Sequence, residues 1–311
     1  MRAVRARDRK VEVVEVERPS GDGVRVKIRS AGICGSDLHL LESPFPLAHT
    51  LGHEMAGTTP DGTDVAIEPL LPCQECPRCI EGAYNLCVRG PGIVMGTAHD
   101  GGMAEEIVVP ERCLVRLPAG VRATDACLVE PLAVAVHGLR RAGLRGGERV
   151  AVIGGGSIGL CSVVAARAAG AKVDLAARHD AQREAGALLG AGSPSDGYDL
   201  VVDAAGTTSA LEQAIGLCRP GARLLLVATY WSGLELPGMA LCLKEVDVIP
   251  ASMYGRAGVA RDVDVAAGTL AMNPEFAKTV ISHRYPLEAA AQAFAVAADR
   301  AAGAIKVVLE P

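Results

Sequence analysis

The 311-residue sequence predicts an α/β protein in which a strand-rich region precedes a doubly wound parallel sheet. The length is sufficient for two domains, since domains commonly contain about 100–200 residues. In residues 1–131, short apolar runs are separated by glycine and proline, as in sheets connected by turns. In residues 132–272, apolar runs alternate with helical patterns, which is typical of βαβ units. Residues 273–311 add one amphipathic helical pattern and a last strand.

The predicted strands of the first region are short. Apolar and charged side chains alternate over residues 24–29, and this period of two predicts a half-buried strand. Apolar runs at residues 64–68, 106–109 and 113–117 predict further strands. No long helical period precedes Pro131, so we expect this region to consist mainly of sheet.

The alternating region begins with a strand at residues 149–153, which a glycine turn connects to a helix. The other predicted strands are 171–177, 198–203, 222–228 and 245–251, and the predicted helices are 158–169, 181–189 and 209–218. Residues 192–197 are too few for another element, so we expect a loop there. Strands that alternate with helices in this order predict a parallel sheet.

Composition and charge exclude several classes of partner. Lysine and arginine number 31 against 36 acidic residues, and the resulting charge of −5 argues against binding to a nucleic-acid backbone. The longest uncharged stretch, between Arg149 and Arg167, is interrupted by glycines, so we expect no membrane span. An N-terminus that is charged from Arg2 onward is unlike a secretory signal. We therefore expect a cytoplasmic protein without nucleic-acid or membrane partners.

Four of the ten cysteines form a compact cluster in residues 73–87. Cys73, Cys76, Cys79 and Cys87 have the spacing C-x2-C-x2-C-x7-C. This spacing allows four thiolates to close a tetrahedral shell around a structural zinc ion. An iron–sulfur cluster is the competing interpretation, because C-x2-C-x2-C also occurs in ferredoxins. The single cysteines are expected to be small buried residues; they are Cys113, Cys127, Cys161, Cys218 and Cys242.

A second set of metal ligands precedes this lobe. Residues 32–39 read G-I-C-G-S-D-L-H, and residues 52–54 read G-H-E. Cys34 and His53, nineteen residues apart, are a weak signal alone. Beside a cysteine-rich lobe and ahead of a nucleotide-binding pattern, they predict an open metal site of the catalytic kind.

A glycine turn predicts dinucleotide binding. Residues 154–159 read G-G-G-S-I-G, which fits G-x-G-x-x-G between a predicted strand and a predicted helix. We expect Gly154 to form the tight turn, Gly156 to allow close approach of the pyrophosphate, and Gly159 to permit close helix–strand packing. Ser157 and Ile158 open the helix, whose N-terminus favours the phosphate charge.

In this order, the motifs resemble the zinc-containing medium-chain alcohol dehydrogenases over essentially the whole chain. Residues 130–137, E-P-L-A-V-A-V-H, are similar to the polyol and threonine dehydrogenase branch. Residues 279–287 resemble the return of the family's chain to its catalytic domain. The resemblance implies a GroES-like β-barrel catalytic domain formed by residues 1–131 and 273–311, and a Rossmann cofactor domain formed by residues 132–272.

The resemblance also implies roles for individual residues. Cys34 and His53 match two ligands of a catalytic zinc ion, and the third protein ligand is either Glu54 or Glu130. Ser36 and His39 match a proton relay to solvent. Together with the cysteine lobe, this implies two zinc ions per chain.

The expected reaction is the interconversion of a secondary alcohol and its ketone by hydride transfer, with a small alcohol or ketone as substrate. Polyols, diols and amino alcohols all remain possible, and Leu40 and Leu41 could face a partly apolar substrate. Two alternatives are a zinc-independent enone or quinone reductase of the same superfamily and a catalytically silent relative. The family leads us to expect a homodimer or a homotetramer.

Two segments are shorter than in the family. Residues 57–64 suggest a trimmed hairpin, and residues 192–197 suggest that one strand–helix unit of the cofactor domain is missing or stunted.

The strand that follows the glycine turn predicts NADP(H) over NAD(H). An acidic residue at the end of this strand usually binds the adenosine ribose, but Ala177 occupies that position and Asp174 comes too early. Arg178 and His179 follow directly. A guanidinium can form a bidentate, charge-assisted pair with a 2′-phosphate, and the histidine can add a donor.

Overall fold

A computed structural model describes residues 1–43, 47–231, 233–299, 301 and 303–311 of the chain. The chain divides into two compact units. The first contains Met1–Glu130 together with Gly255–Pro311, and the second contains Pro131–Tyr254. None of the helices in these described ranges is long and apolar enough to span a membrane.

The helices and strands fall into three consecutive stretches of the chain. The N-terminal part of the first unit contains β1 (Arg2–Arg7), β2 (Lys10–Glu15), β3 (Val24–Gly32), α1 (Gly35–Glu42), β4 (Glu54–Thr58), β5 (Asp64–Ile67), α2 (Pro77–Ile80), β6 (Glu106–Val109) and β7 (Leu114–Arg116). From the boundary onward follow α3 (Val129–Arg141), β8 (Arg149–Ile153), α4 (Ser157–Ala168), β9 (Lys172–Ala176), α5 (Asp180–Leu188), β10 (Tyr198–Asp203), α6 (Thr208–Leu217), β11 (Cys218–Leu226), α7 (Gly238–Leu243) and β12 (Asp247–Pro250). The returning part of the first unit contains β13 (Arg256–Ala257), β14 (Ala260–Arg261), α8 (Asp262–Met272), α9 (Glu275–Val280), β15 (Ile281–Pro286), α10 (Ala290–Ala298) and β16 (Lys306–Glu310).

The first unit is built around a sheet in which β15, β16, β3, β4, β5 and β7 are neighbours, and β6 also pairs with β3. β1 and β2 form a separate hairpin. The predicted alternation is present in β3, where Val26 and Ile28 are buried and the charged residues between them are exposed. Val307 and Leu309 of β16 belong to the same core, so the C-terminal strand completes the first unit.

The second unit has the predicted parallel sheet, with the strand order β12-β11-β10-β8-β9. This is the doubly wound order without its third strand, because β9 is an edge strand. At that edge, the described part of the chain adds only an isolated bridge between Asp174 and Gly192. The short segment after α5 therefore forms a loop where a longer chain would add a strand and a helix.

The division between the units differs from the sequence-based boundary at residue 272. The hairpin of β13 and β14 and helix α8 belong to the first unit. Arg256 N donates to the Gly82 carbonyl at 3.0 Å, and Arg261 Nη1 forms an ion pair with Glu68 at 3.1 Å. Helix α8 extends the alternating strand–helix pattern of the sequence, whereas only long-range contacts reveal the unit in which it packs.

Helix α1 was not expected from the sequence, because it is short and lies in a strand-rich region. Cys34 caps its N-terminus, and the Cys34 backbone N–H donates to Asp37 Oδ2 at 2.9 Å. Such a capping box satisfies backbone donors at a helix start and stabilises a helix of only two turns. It also fixes Cys34 in space, directly after the end of β3.

Candidate active site

The four-cysteine lobe brings its sulfur atoms close together. The ligand atoms of Cys73, Cys76, Cys79 and Cys87 all lie within 4.8 Å of one another. Cys79 Sγ is 3.8 Å from Cys73 Sγ and 3.5 Å from Cys76 Sγ. Zinc–sulfur bonds of about 2.3 Å in a tetrahedron place sulfur atoms about 3.8 Å apart, so the donors and their spacing suit a single zinc ion.

The pKa values of these thiols differ, because backbone N–H donors lower some of them and burial raises another. A backbone N–H at Val88 lowers the pKa of Cys76 to about 6, whereas burial raises the pKa of Cys79 to about 12. Backbone donation at Cys73 also lowers the pKa of Cys87. The four thiols are therefore not all deprotonated by themselves, and a bound zinc ion would have to displace the remaining protons.

Cys34, His53 and Glu54 form the second cluster, and their ligand atoms also lie within 4.8 Å of one another. The register of the sheet explains this arrangement. Gly32, at the end of β3, pairs with Glu54, at the start of β4. A Cβ atom at Gly32 would clash with the Glu54 carboxylate, so this position requires glycine. Cys34 and His53 extend from the adjacent ends of the same two strands.

Asp37 and Ser36 surround His53. Asp37 Oδ1 lies 3.4 Å from His53 Nδ1, and neither atom has a hydrogen-bond partner among the described residues. Ser36 Oγ lies 3.4 Å from His53 Nε2. Burial would lower the pKa of His53, but the charges of Asp37 and Cys34 outweigh it and raise this pKa well above 6.5. The ring is thus held between an anion on Nδ1 and the cluster on Nε2.

Lys306 binds Glu54 in the interior of the first unit. Its Nζ donates to both carboxylate oxygens, at 2.7 and 2.5 Å, and to the Ile33 carbonyl at 3.1 Å. The two side chains are only 2% and 1% exposed. Burial disfavours the ammonium, but Glu54 outweighs it and raises the pKa of Lys306. Removal of either side chain of this buried pair would leave an uncompensated charge and destabilise the fold.

The structure does not bring the other predicted site residues of the first unit into this cluster. His39 is exposed in the last turn of α1, one turn after Ser36. Glu130 is half-buried in the first turn of α3, and its carboxylate is not part of the group formed by Cys34, His53 and Glu54.

The glycine turn of the second unit has the geometry that a pyrophosphate requires. Gly154 has a φ of +102°, and a Cβ atom at Gly159 would clash with the Gly154 carbonyl. Gly156 is the N-cap of α4, and a Cβ atom there would meet nothing within 4 Å. The buried Ser157 hydroxyl has no hydrogen-bond partner among the described residues. Open space at the N-terminus of a three-turn helix is where an anion binds.

The residue that directly follows β9 is Ala177 and not an acidic residue. Asp174 lies inside the strand opposite Ala151, where Tyr198 Oη donates to it at 2.7 Å. Arg178 is exposed and His179 is half-buried.

Arg183 of α5 also reaches the end of β9. Its Nη1 donates to the carbonyl of Ala177 at 3.0 Å and to that of Arg178 at 2.7 Å, and its Nη2 contacts Asp180. Arg183 therefore places its guanidinium against the backbone of Ala177 and Arg178.

Residues 20–119 match the GroES-like domain of alcohol dehydrogenases. L-Galactonate-5-dehydrogenase of Escherichia coli (strain K12) is 30% identical over 311 residues, which cover 90% of this chain and 89% of that relative. The chain belongs to the zinc-containing medium-chain dehydrogenases. It is an oxidoreductase with a GroES-like domain and a Rossmann-type cofactor domain, as the sequence motifs predicted.

Solved structures are similar to this dehydrogenase over its whole length. Galactitol-1-phosphate dehydrogenase from Escherichia coli has a TM-score of 0.89 at 30% identity, with 100% of both chains covered. A structure described as a zinc-binding dehydrogenase from Sinorhizobium meliloti 1021, bound to NADP, has a TM-score of 0.85 at 28% identity and covers 100% of this chain and 99% of the other. An alcohol dehydrogenase from Escherichia coli CFT073, complexed with NADH, has a TM-score of 0.88 at 26% identity with the same coverage.

Sequence reasoning missed Asp37 and Lys306 in this dehydrogenase. Asp37 lies inside the motif G-S-D-L-H, where its position three residues after Cys34 was a usable capping signal. Lys306 is the one basic residue of an otherwise largely apolar strand, which is a signal for a buried partner. No sequence pattern indicates that Glu54 is this partner. Among the single cysteines, Cys242 is exposed on α7 and not buried as expected, because no residue of that short helix is buried.

Proposed function

We propose that this enzyme interconverts a secondary alcohol of a polyol and the corresponding ketone, with NADP(H) as the hydride carrier. The cluster of Cys34, His53 and Glu54, with Ser36 beside it, is the observation that carries the proposal. Relatives that act on L-galactonate and on galactitol 1-phosphate, as their names state, support a polyhydroxylated substrate.

The donor set of the cluster fits a catalytic zinc ion. One thiolate, one imidazole and one carboxylate are three protein ligands, which leaves a fourth position for the substrate oxygen. A zinc ion bound there would act as a Lewis acid on the alcohol oxygen. We assign the third ligand to Glu54 and not to Glu130, because Glu54 already lies with Cys34 and His53. Lys306 then holds the Glu54 carboxylate in place from the side of the core.

Ser36 and His39 are the proposed proton path. A bound nicotinamide would take the hydride from the substrate's C–H bond, and the hydroxyl proton would leave through the protein. Ser36 takes up this proton at the hydroxyl that faces His53 and releases its own hydroxyl proton toward His39. Exposed His39, on the same helix, passes it to solvent as a general base.

The cysteine lobe is proposed to hold a second zinc ion with a structural role. Sulfur atoms within 4.8 Å of one another support a single ion over an iron–sulfur cluster, because a cluster would place several atoms between the thiolates. All four ligands come from the protein, so no position is left for a substrate.

NADP(H) is supported by the charges at the end of β9. Similar structures contain either NADP or NADH, so the preference depends on this chain's own residues. Ala177 stands where NAD-binding relatives of the fold place a carboxylate, and Arg178 offers a guanidinium directly after it. Arg183 fixes the backbone of Ala177 and Arg178. Bidentate donation to a 2′-phosphate follows from this arrangement.

The test is a kinetic survey of polyols and ketoses with both cofactors, combined with zinc analysis. We expect zinc-dependent oxidation of polyols, with kcat/KM at least about tenfold higher for NADP+ than for NAD+. Ala177→Asp combined with Arg178→Ala should reverse this preference, and Arg140→Ala is a control at another arginine of the same unit. Activity on enones without zinc would support the reductase alternative and contradict the proposal, as would zinc-loaded protein that oxidises no alcohol. A dimer or tetramer and a cytoplasmic location remain predictions.

A further inference from the structure

A cavity of about 270 Å³ lies in the first unit, between the end of α1 and the turn that joins β1 to β2. Leu40, Leu41 and Leu47 contribute its apolar walls. Arg7 and Arg9 contribute charge from the hairpin turn. None of these residues has a role in the proposed hydride transfer, so the cavity calls for an explanation of its own.

Leu40, which lines the cavity, lies one helical turn from Ser36, the residue beside the candidate metal cluster. Ser36 and Leu40 are four residues apart in α1 and therefore lie on the same face, about 6 Å apart along the axis. Ser36 Oγ is 3.4 Å from His53 Nε2. Four carbon–carbon bonds of about 1.5 Å span about 5 Å in a zigzag chain. A six-carbon substrate whose fifth carbon reacts beside Ser36 therefore brings its first carbon to the level of Leu40.

The guanidinium groups of Arg7 and Arg9 have no hydrogen bond or ion pair to any described residue of the chain. This distinguishes them from Arg2, Arg18 and Arg25 of the same region, which form ion pairs. Asp8 is the one acidic residue that lines the cavity, so the wall carries a net positive charge. Two guanidinium groups without an internal partner are available for an anion.

The backbone of the turn is also unusual. Asp8 and Arg9 have φ values of 49° and 61°, in the left-handed region, and Arg7 pairs with Lys10 across the turn. Such two-residue turns favour asparagine and glycine, and a left-handed arginine is disfavoured by about 1 kcal/mol or more. An arginine in this disfavoured conformation is consistent with a binding role for the Arg9 side chain.

We propose that this cavity binds the anionic end of the substrate, so that the enzyme acts on a polyol bearing a carboxylate or a phosphate. The inference rests on the proposed function and narrows its substrate class. The leucines contact the carbon chain, and Arg7 and Arg9 pair with the anion. Binding at this end holds the reacting hydroxyl beside Ser36 and His53.

The test compares gluconate, glucitol 6-phosphate and neutral glucitol, which share one carbon skeleton. At saturating cofactor, the KM for at least one anion should be about tenfold to a hundredfold below that for glucitol. The double variant Arg7→Ala/Arg9→Ala should raise that KM by the same factor and leave kcat/KM for glucitol within about twofold. Lys10→Ala is the matched control, because Lys10 lies at the same turn but does not line the cavity. Preference for gluconate or for the phosphate identifies which anion the cavity accepts.

A binding measurement separates this inference from the proposed function. Gluconate and inorganic phosphate are titrated into the unmodified enzyme and the double variant by calorimetry. If no alcohol is oxidised, the proposed function fails, but anion binding that is lost in the double variant still supports the cavity assignment. Equal KM values for charged and neutral substrates, or anion binding unchanged by the double variant, overturn the inference.

Discussion

The two candidate metal-ligand clusters of the first unit are built in opposite ways. The cysteine lobe takes all its donors from residues 73–87, and every donor is a sulfur atom. The second cluster combines Cys34, His53 and Glu54, and the Lys306 that holds Glu54 comes from the C-terminal strand. The first cluster is local and closed, whereas the second is assembled by the sheet and has three protein donors of mixed type.

The difference explains why one cluster suits stability and the other chemistry. A closed shell of four thiolates leaves no room for another ligand, so its metal can only hold chain segments together. A cluster with three donors leaves a position for a substrate, and mixed donors keep the metal a useful Lewis acid. We therefore expect substitutions in the lobe to change folding first and substitutions in the mixed cluster to change turnover first.

The largest expected effect is on folding and follows from Cys76→Ser. Loss of a thiolate should release the structural metal, whose binding contributes to the folding free energy. We expect the free energy of unfolding to fall by several kcal/mol and Tm by about 10 °C or more, measured by calorimetry with zinc analysis. Cys242→Ser is the control, since Cys242 is exposed and outside the lobe. A variant with normal Tm and one zinc ion fewer would contradict the structural role.

Cys34→Ala should instead abolish turnover while the protein stays folded. Loss of one of three donors should remove the catalytic metal, and Lewis-acid activation supplies several kcal/mol of transition-state stabilisation. We expect kcat/KM to fall about a thousandfold or more, with Tm within a few degrees of the unmodified enzyme. One zinc ion per chain should remain, in the cysteine lobe. Fully active Cys34→Ala protein would show that the mixed cluster is not the catalytic site.

The sequence predicts these clusters to different extents. Local spacing is sufficient for the cysteine lobe and for the turn at residues 154–159, because all contributing residues lie within one short segment. The strands Arg149–Ile153 and Tyr198–Asp203 have the predicted limits, since apolar runs set them.

Features that depend on long-range contacts could not be predicted in the same way. The pair of Lys306 and Glu54 joins residues 252 positions apart, and no local pattern encodes it. The place of α8 in the first unit depends equally on contacts with distant segments, such as Arg261 with Glu68. Local patterns therefore predict the elements, while partner identities depend on the tertiary fold.

Lys306→Met tests the long-range ion pair between Lys306 and Glu54 of the mixed cluster. Methionine removes the cation and leaves the buried Glu54 carboxylate without its partner, which costs about 3–5 kcal/mol. We expect a Tm decrease of about 10 °C, measured by calorimetry, together with a loss of activity. Lys306→Arg retains the charge and should recover most of both losses. If methionine leaves Tm and activity unchanged, the pair has no role in holding Glu54.

Glu54→Gln and Glu130→Gln distinguish the candidates for the third ligand. We expect Glu54→Gln to lower the affinity of the mixed cluster for zinc about a hundredfold, because a direct ligand should matter at least as much as a supporting residue. Glu130→Gln should change this affinity by less than about tenfold. Chelator titration measures both, with Glu68→Gln as a buried control that pairs with Arg261 outside the cluster. The reverse order of effects would assign the ligand to Glu130.

The smallest expected effect comes from Asp37→Asn, which tests the carboxylate beside the histidine of the mixed cluster. Asparagine can still accept the Cys34 N–H and so keep the start of α1, but it removes the negative charge 3.4 Å from His53 Nδ1. A carboxylate at this position orients the imidazole and increases its basicity toward a metal on Nε2, and its loss typically costs about 10–100-fold in affinity or activity. We expect kcat and zinc affinity of the mixed cluster to fall together by that factor, while Tm changes little. Asp125→Asn is the matched control, since Asp125 forms ion pairs with Arg122 and Arg284 away from any histidine. If Asp37→Asn lowers Tm but leaves zinc affinity unchanged, Asp37 only caps the helix, and the mixed cluster needs no carboxylate behind its histidine.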